Sequence, residues 1–251
     1  MKTSSRILLG AFLAAALLVV VHIAGAAGGA IGGVDLSGER ATRTFDLVAL
    51  RHLRLDGPFR LILSAGLPSV TIEGDRALVD RLEDRDPADD VLDLRSARAK
   101  TPPLDREAGV LVARVSSPGL ARVELAGNTE MLSEGALPYR MLDLDMAGST
   151  RLDLDFADLG QLDLDHAGSL RGSLRGRADH FTFDASGSSD LDASDLITQR
   201  AEVSVSGSSS VRVHADSLLT VRGSGSTRVA YSGAARVSQR ISGSGEVTTL
   251  N

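Results

Sequence analysis

The sequence predicts an all-β protein: a right-handed parallel β-helix with preceding strands and one short helix, behind an N-terminal export segment. Three observations carry that expectation. Apolar and polar residues alternate over long stretches, as in "LDLDMAGSTRLDLDF" at residues 142–156, which is the two-residue period of a half-buried strand. A glycine in a small-residue setting recurs at Gly127, Gly148, Gly168, Gly187, Gly207, Gly225 and Gly243, at spacings of 21, 20, 19, 20, 18 and 18 residues. No proline follows Pro138, as expected where strands are central and each would lose a ladder hydrogen bond to proline.

Taken in chain order, the first element is an export segment. Lys2 and Arg6 precede an apolar run over 7–21, and Ala24-Gly25-Ala26 has the small-x-small form of a signal-peptidase site. Two readings stay open: a signal peptide over 1–26, or an uncleaved membrane anchor over 7–31, a stretch interrupted only by His22. Either places the remainder beyond the cytoplasmic membrane, in the periplasm or at the cell surface. Residues 27–43 read as a Gly-rich, then polar, flexible lead-in. A single domain follows over 44–251. Its first strands are "RHLRLDGPFRLILSAG" and "SVTIEG", punctuated by Gly-Pro and Leu-Pro. "DRALVDRLEDRD" predicts a short helix with Asp75 as N-cap and Leu78 and Leu82 on one face. Strands resume at "VLDLRS" and "GVLVARVSS" across a polar, Pro-containing loop.

From about residue 120 the repeats take over. Four residues before each glycine stand Val123, Leu144, Leu164, Phe183, Val203, Val221 and Gln239, and four after it Met131, Leu152, Gly172, Leu191, Val211, Val229 and Val247. Each repeat is therefore strand, small-residue corner, strand, with alternate side chains turned to one interior. A coil of about 20 residues cannot bury its apolar face alone, so successive coils must stack and bond to one another. Seven coils at the ~4.8 Å interstrand spacing make a rod about 30 Å long. Glycine is required at the corner for positive φ or for close backbone approach. A propeller or antiparallel barrel would need hairpin turns such as Asn-Gly, which are missing from the repeats.

Composition narrows the chemistry. Cysteine and tryptophan are absent and aromatic residues make up 3% of the 251, which removes disulfides, thiolate metal sites and cysteine nucleophiles. A formal charge of −6 disfavours nucleic acid, whose phosphates call for a concentrated basic surface.

The serial "AGST", "AGSL", "SGSS" and "GSGST" cores, preceded by "RHLRLDGPFRLILSAG", "VTIEGD" and "RALVDRL", resemble bacterial GIN domains, the family described as auto-transporter adhesin heads. The resemblance spans about 45–247. It implies an envelope or surface protein with a β-helical head and no established catalytic residues. A full auto-transporter would carry a translocator barrel, which the 251 residues do not contain.

Stacking places outward residues in columns. Three positions before the corner the column reads Glu124, Asp145, Asp165, Asp184, Ser204, Arg222 and Arg240, and five before it Asp143 and Asp163 add carboxylates. Six acids at neighbour distances near 5 Å repel and raise one another's pKa unless a cation intervenes. They form either a Ca²⁺ site or a solvated acidic stripe eased by Arg151 and Arg171. Neither an EF-hand nor the nonapeptide Ca²⁺ repeat fits their spacing. No other cofactor is indicated.

An enzyme acting on polysaccharide through paired carboxylates is the chemical alternative, weakened by the lack of tryptophan for sugar subsites. Ser149, Ser169, Ser188, Ser208, Ser226 and Ser244 recur with the corner, whereas a nucleophile would be singular. His52, His166, His180 and His214 fall at different phases and form no metal-binding motif. The expectation is a non-catalytic exported protein that binds an envelope or extracellular polymer or protein, with a self-associating architectural module as the runner-up. Membrane contact is confined to 7–31 if that segment is retained.

Overall fold

The computed structural model describes residues 33–45, 47, 49–85, 90–100 and 108–250; the export segment 1–26 and residues 27–32 of the lead-in lie outside them. The described chain is mostly β-strand with almost no helix. No helix among the described residues is long and apolar enough to cross a membrane.

Two strands near the start, β2 (His52–Asp56) and β3 (Phe59–Ser64), flank Gly57, whose φ is +131°. Both pair in parallel with β8 (Arg122–Glu134), so that Leu53 faces Val123 and Phe59 faces Thr129. On their other side they pair in parallel with β6 (Val91–Arg95) and β7 (Leu111–Ser116). The stacking order is thus β6/β7, then β2/β3, then β8, which is not the chain order. The excursion between β3 and β6 runs through β4 (Ser69–Asp75), α1 (Arg76–Val79) and β5 (Glu83–Asp84).

β4 pairs antiparallel with β7 and with β1 (Arg40–Phe45), while Val34 bridges to Ala99. The paired backbone therefore begins before residue 44: residues 40–43, expected to be flexible lead-in, belong to the sheet, and Val34 is held by a single bridge. The carboxylate of Asp75 fixes them: it accepts hydrogen bonds from the Ser37 amide and hydroxyl and the Gly38 amide as well as from Ala77 N.

Asp75 caps the helix as expected, but α1 is four residues long and ends at Val79, shorter than the sequence suggests. Leu78 and Leu82 are both buried. A further turn of helix would carry Glu83 and Asp84 away from their antiparallel pairing with Arg95 and Leu94; tertiary pairing outweighs local propensity here.

Beyond β8 comes β9, a continuous extended run of 92 residues, Met141–Ser232. It opens in parallel register with β8, Gly148 opposite Gly127, and closes in parallel register with β10 (Arg236–Gly243) and β11 (Glu246–Thr249), Gly243 opposite Gly225. Between those ends it lies on itself: a methyl group built on Gly168, Gly187 or Gly207 would sit 2.2 Å from the carbonyl oxygen of the preceding corner glycine. All seven corner glycines have φ between +92° and +129°, a region that costs an L-residue about 1–2 kcal/mol.

Alternation then builds the core. Val123, Leu144, Leu164, Phe183, Val203 and Val221 are each at most 1% exposed, as are Met131, Leu152, Leu191, Val211 and Val229. Full burial of such side chains contributes about 1.5–3 kcal/mol apiece. Phe181 and Phe183 stack with ring centroids 6.4 Å apart. Gln239, in the terminal repeat, occupies the same row and is exposed, giving the last layer a polar outer side.

Candidate functional site

The corner glycines divide the outward surface in two. On the side that precedes them, a shallow groove of about 650 Å³ runs past Asp145, Asp165, Asp184, Ser204, Arg222 and Arg240. The strand registers Arg54 to Glu124, Glu124 to Asp145 and Arg222 to Arg240 set the column's two ends; the stacked glycines set its middle. On the side that follows the corners lies an open trough of about 1010 Å³, floored by Ser149, Ser169, Ser188, Ser208 and Ser226. Arg151, Arg171, Asp190 and Arg212 rim it. Small residues at the corner leave room on both sides.

The six expected carboxylates share one face, yet they are electrostatically unequal. Glu124 is the hub of a charge network that sequence reasoning missed. Its oxygens accept from Arg54 Nε at 2.6 Å and Arg122 Nε at 2.9 Å, and lie 2.9 Å from His52 Nε2. Arg122 also reaches Asp143 at 2.9 Å and Asp145 at 3.6 Å, and Arg54 reaches Asp93, itself bound by Arg85 at 2.7 Å. Burial by itself would raise the Glu124 pKa; the hydrogen bonds from Arg54 and Arg122 and the nearby cations outweigh it and hold the carboxyl below its ordinary value. The signal was present in "HLRLD", but only the 70-residue register Arg54 to Glu124 brings it to the acidic column.

Asp165 and Asp184 are different: among the described residues neither makes an ion pair, and Asp163 is bound only by the Gln161 amide at 2.6 Å. Burial, followed by the fields of Asp184, Asp143, Asp145 and Asp163, raises the Asp165 pKa. Arg151 and Arg171 do not ease this stripe. They lie beyond the corner, where they pair with Glu130 at 3.9 Å and Asp190 at 3.8 Å. Among the described residues no group of three His, Asp or Glu side chains is placed to hold a metal ion, so geometry gives the Ca²⁺ reading of the stripe no support.

The histidines disperse as the phases of the repeat imply. His52 joins Glu124, His180 is exposed, and His214 lies between Ser232 at 2.9 Å and Asp216 at 3.0 Å. His166 is 4% exposed, in the inward row of Leu125, Met146, Ala185 and Val205, and neither ring nitrogen has a hydrogen-bond partner. Burial pushes its pKa down. The serines beside the corner are exposed and repeat along the trough floor; among the described residues no histidine is bonded to them.

No curated protein matches this chain. Among solved structures, a putative adhesin from Bacteroides fragilis superposes with a TM-score of 0.67 over 87% of this chain and 100% of that one, at 17% identity. A putative lipid binding protein from Parabacteroides distasonis gives 0.64 over 88% and 100%, at 19% identity. A putative adhesin from Parabacteroides merdae gives 0.62 over 87% and 99%, at 18% identity. At such identities the likeness speaks for the fold alone. The sequence profile of the family "Putative auto-transporter adhesin, head GIN domain" matches residues 49–235, which include the β2/β3 corner, the charge hub and the corner glycines through Gly225, and the chain belongs to that family.

Proposed function

We propose that this chain is an exported, non-catalytic, adhesin-like module of the cell envelope or surface. In this reading the layers form a right-handed parallel β-helix, residues 1–26 act as export signal or anchor, and the serine-floored trough receives an extended polymer. The carrying observation is that trough: five serines on successive layers at ~4.8 Å intervals, rimmed by Arg151, Arg171, Asp190 and Arg212. A floor of repeated hydroxyls offers the same donor and acceptor at every step, which suits a repeating, hydroxyl-bearing chain such as a polysaccharide better than a small molecule. The names borne by the family and by two of the structural relatives point the same way.

The test is retention of the purified protein on immobilised extracellular polysaccharides, alongside a variant with Ser188→Trp and Ser208→Trp that fills the trough. Both serines are exposed, so the fold should survive, as judged by circular dichroism. Retention on at least one polymer, lost in the variant, is the expected outcome. Equal retention of both proteins would remove the trough from the account, and release of reducing ends would replace binding with catalysis.

A further inference from the structure

We propose that the groove on the opposite side of the corners is a self-complementary docking face, which pairs two copies of the chain antiparallel about a two-fold axis lying across the layer of Ser204. The starting observation is the order of charges along one column. In-register stacking gives Asp145, Asp165 and Asp184, then Ser204, then Arg222 and Arg240, so one half of the groove is acidic and the other basic.

Each half is unfavourable in a lone molecule. Like charges stand on adjacent strands, an arrangement that destabilises a sheet. Among the described residues Asp165, Asp184 and Arg240 make no ion pair, and Arg222 has only Glu202 at 3.7 Å, with both partners more than half exposed. The sheet cannot relieve this internally, because parallel register fixes like on like. The acidic column's first members are neutralised by Arg54 and Arg122, and those cations do not reach Asp165 or Asp184.

A second copy turned end for end supplies the missing partners. With the axis on the Ser204 layer, the Asp184 layer faces the layer of the partner's Arg222, and the Asp165 layer faces that of the partner's Arg240. Symmetry doubles each contact. The neighbouring column is Ala167, Ser186, Ser206, Ser224 and Ser242, all small and exposed, so backbones can approach without a steric barrier. Five layers of one face amount to a patch about 19 Å long, below the area of a standard stable interface. The complex is therefore weak, its association driven by charge and sensitive to salt. It occupies a different face from the trough and stands or falls separately from polymer binding.

The experiment uses sedimentation velocity on the purified protein, from about 10 µM to about 1 mM, at low salt and at about 0.5 M salt. The wild-type chain is expected to dimerise at low salt, and its association to weaken at least about tenfold in high salt. Two variants then separate the halves: one carries Arg222→Asp with Arg240→Asp, the other Asp165→Arg with Asp184→Arg. All four side chains are exposed, and circular dichroism checks the fold. Each variant alone should be monomeric, and an equimolar mixture should associate as the wild type does.

A wild-type chain that stays monomeric throughout the range overturns the proposal. So does a mixture that fails to associate, or variants that self-associate unchanged. If the reversed variants do not fold, the salt dependence and the neutral variant Arg240→Gln, expected to weaken association by about threefold to tenfold, keep the proposal open to refutation.

Discussion

The strands before residue 120 and those after it share the same parallel register around the corner and differ in chain order. After residue 120 each layer follows its predecessor in sequence, and the next corner glycine is reached in 18 to 21 residues. Before it, the layer of β2, Gly57 and β3 lies between β6/β7 and β8, and the chain leaves and returns to complete the stack. Leu53, Leu55, Phe59 and Leu61 occupy the inward rows of Val123, Leu125, Thr129 and Met131, so the packing rule is common to both regions. Layer geometry is thus set by alternation and a glycine corner, while layer order is set separately by the connections. A periodic sequence reveals the second only where the connections are short.

The largest test of that comparison is at the corners. A methyl on Gly168 would lie 2.2 Å from the Gly148 carbonyl oxygen, whereas one on Gly127 would lie 3.0 Å from that of Gly57. Both glycines have positive φ. Gly168→Ala is expected to cost more than about 4 kcal/mol or to prevent folding, and Gly127→Ala about 1–3 kcal/mol, read from denaturant midpoints. Equal costs would mean that the two regions stack alike.

Next comes the clasp that joins the regions. Glu124→Gln leaves Arg54 and Arg122 without their shared anion and should destabilise by about 1–3 kcal/mol. Because the folded Glu124 pKa lies below its ordinary value, the unfolded chain binds its proton first as pH drops. The clasp's contribution is therefore complete above the ordinary glutamate range and is lost as pH falls through the folded value. The variant should show a flatter acid limb in a stability-versus-pH curve. An unchanged limb would assign the joint to packing alone.

Smaller effects come from the repeat region. His166 is buried without a partner in a row whose neighbours are Met146 and Ala185, so His166→Met should stabilise by about 1 kcal/mol. Its folded pKa is depressed; the wild type should lose stability as pH falls below about 6.5 toward that lower value, and the variant should lose that slope. Smallest is Asp165→Asn. Its pKa is raised by burial and then by neighbouring carboxylates, so at neutral pH removing the charge should stabilise by about 0.5 kcal/mol, visible as a small rise in melting temperature.

The strands of the repeat region were legible because alternation and small-residue corners recur together every 18 to 21 residues. Gly57 was not, since the insertion before Gly127 breaks the period. Nor was a second corner further along each repeat, where Gly176 and Gly233 take φ of +112° and +94° beside the Phe156 and Ala215 carbonyls. Phe156 and Ala215 themselves fill that column in neighbouring layers, so no residue type marks it. The acidic column could be read from phase alone. Its unequal neutralisation could not, because Arg54 and His52 reach Glu124 across about 70 residues of chain.

The most direct measurement exploits the absence of cysteine. Spin labels on Ser149→Cys paired with Ser208→Cys, Ser226→Cys or Ser244→Cys, all exposed corner positions, report separations by pulsed electron resonance. In-register stacking predicts distances that lengthen by about 4.8 Å with each move and reach about 24 Å at Ser244. Separations that fail to grow in equal steps, or that jump by tens of ångströms, would contradict the one-layer-per-repeat account.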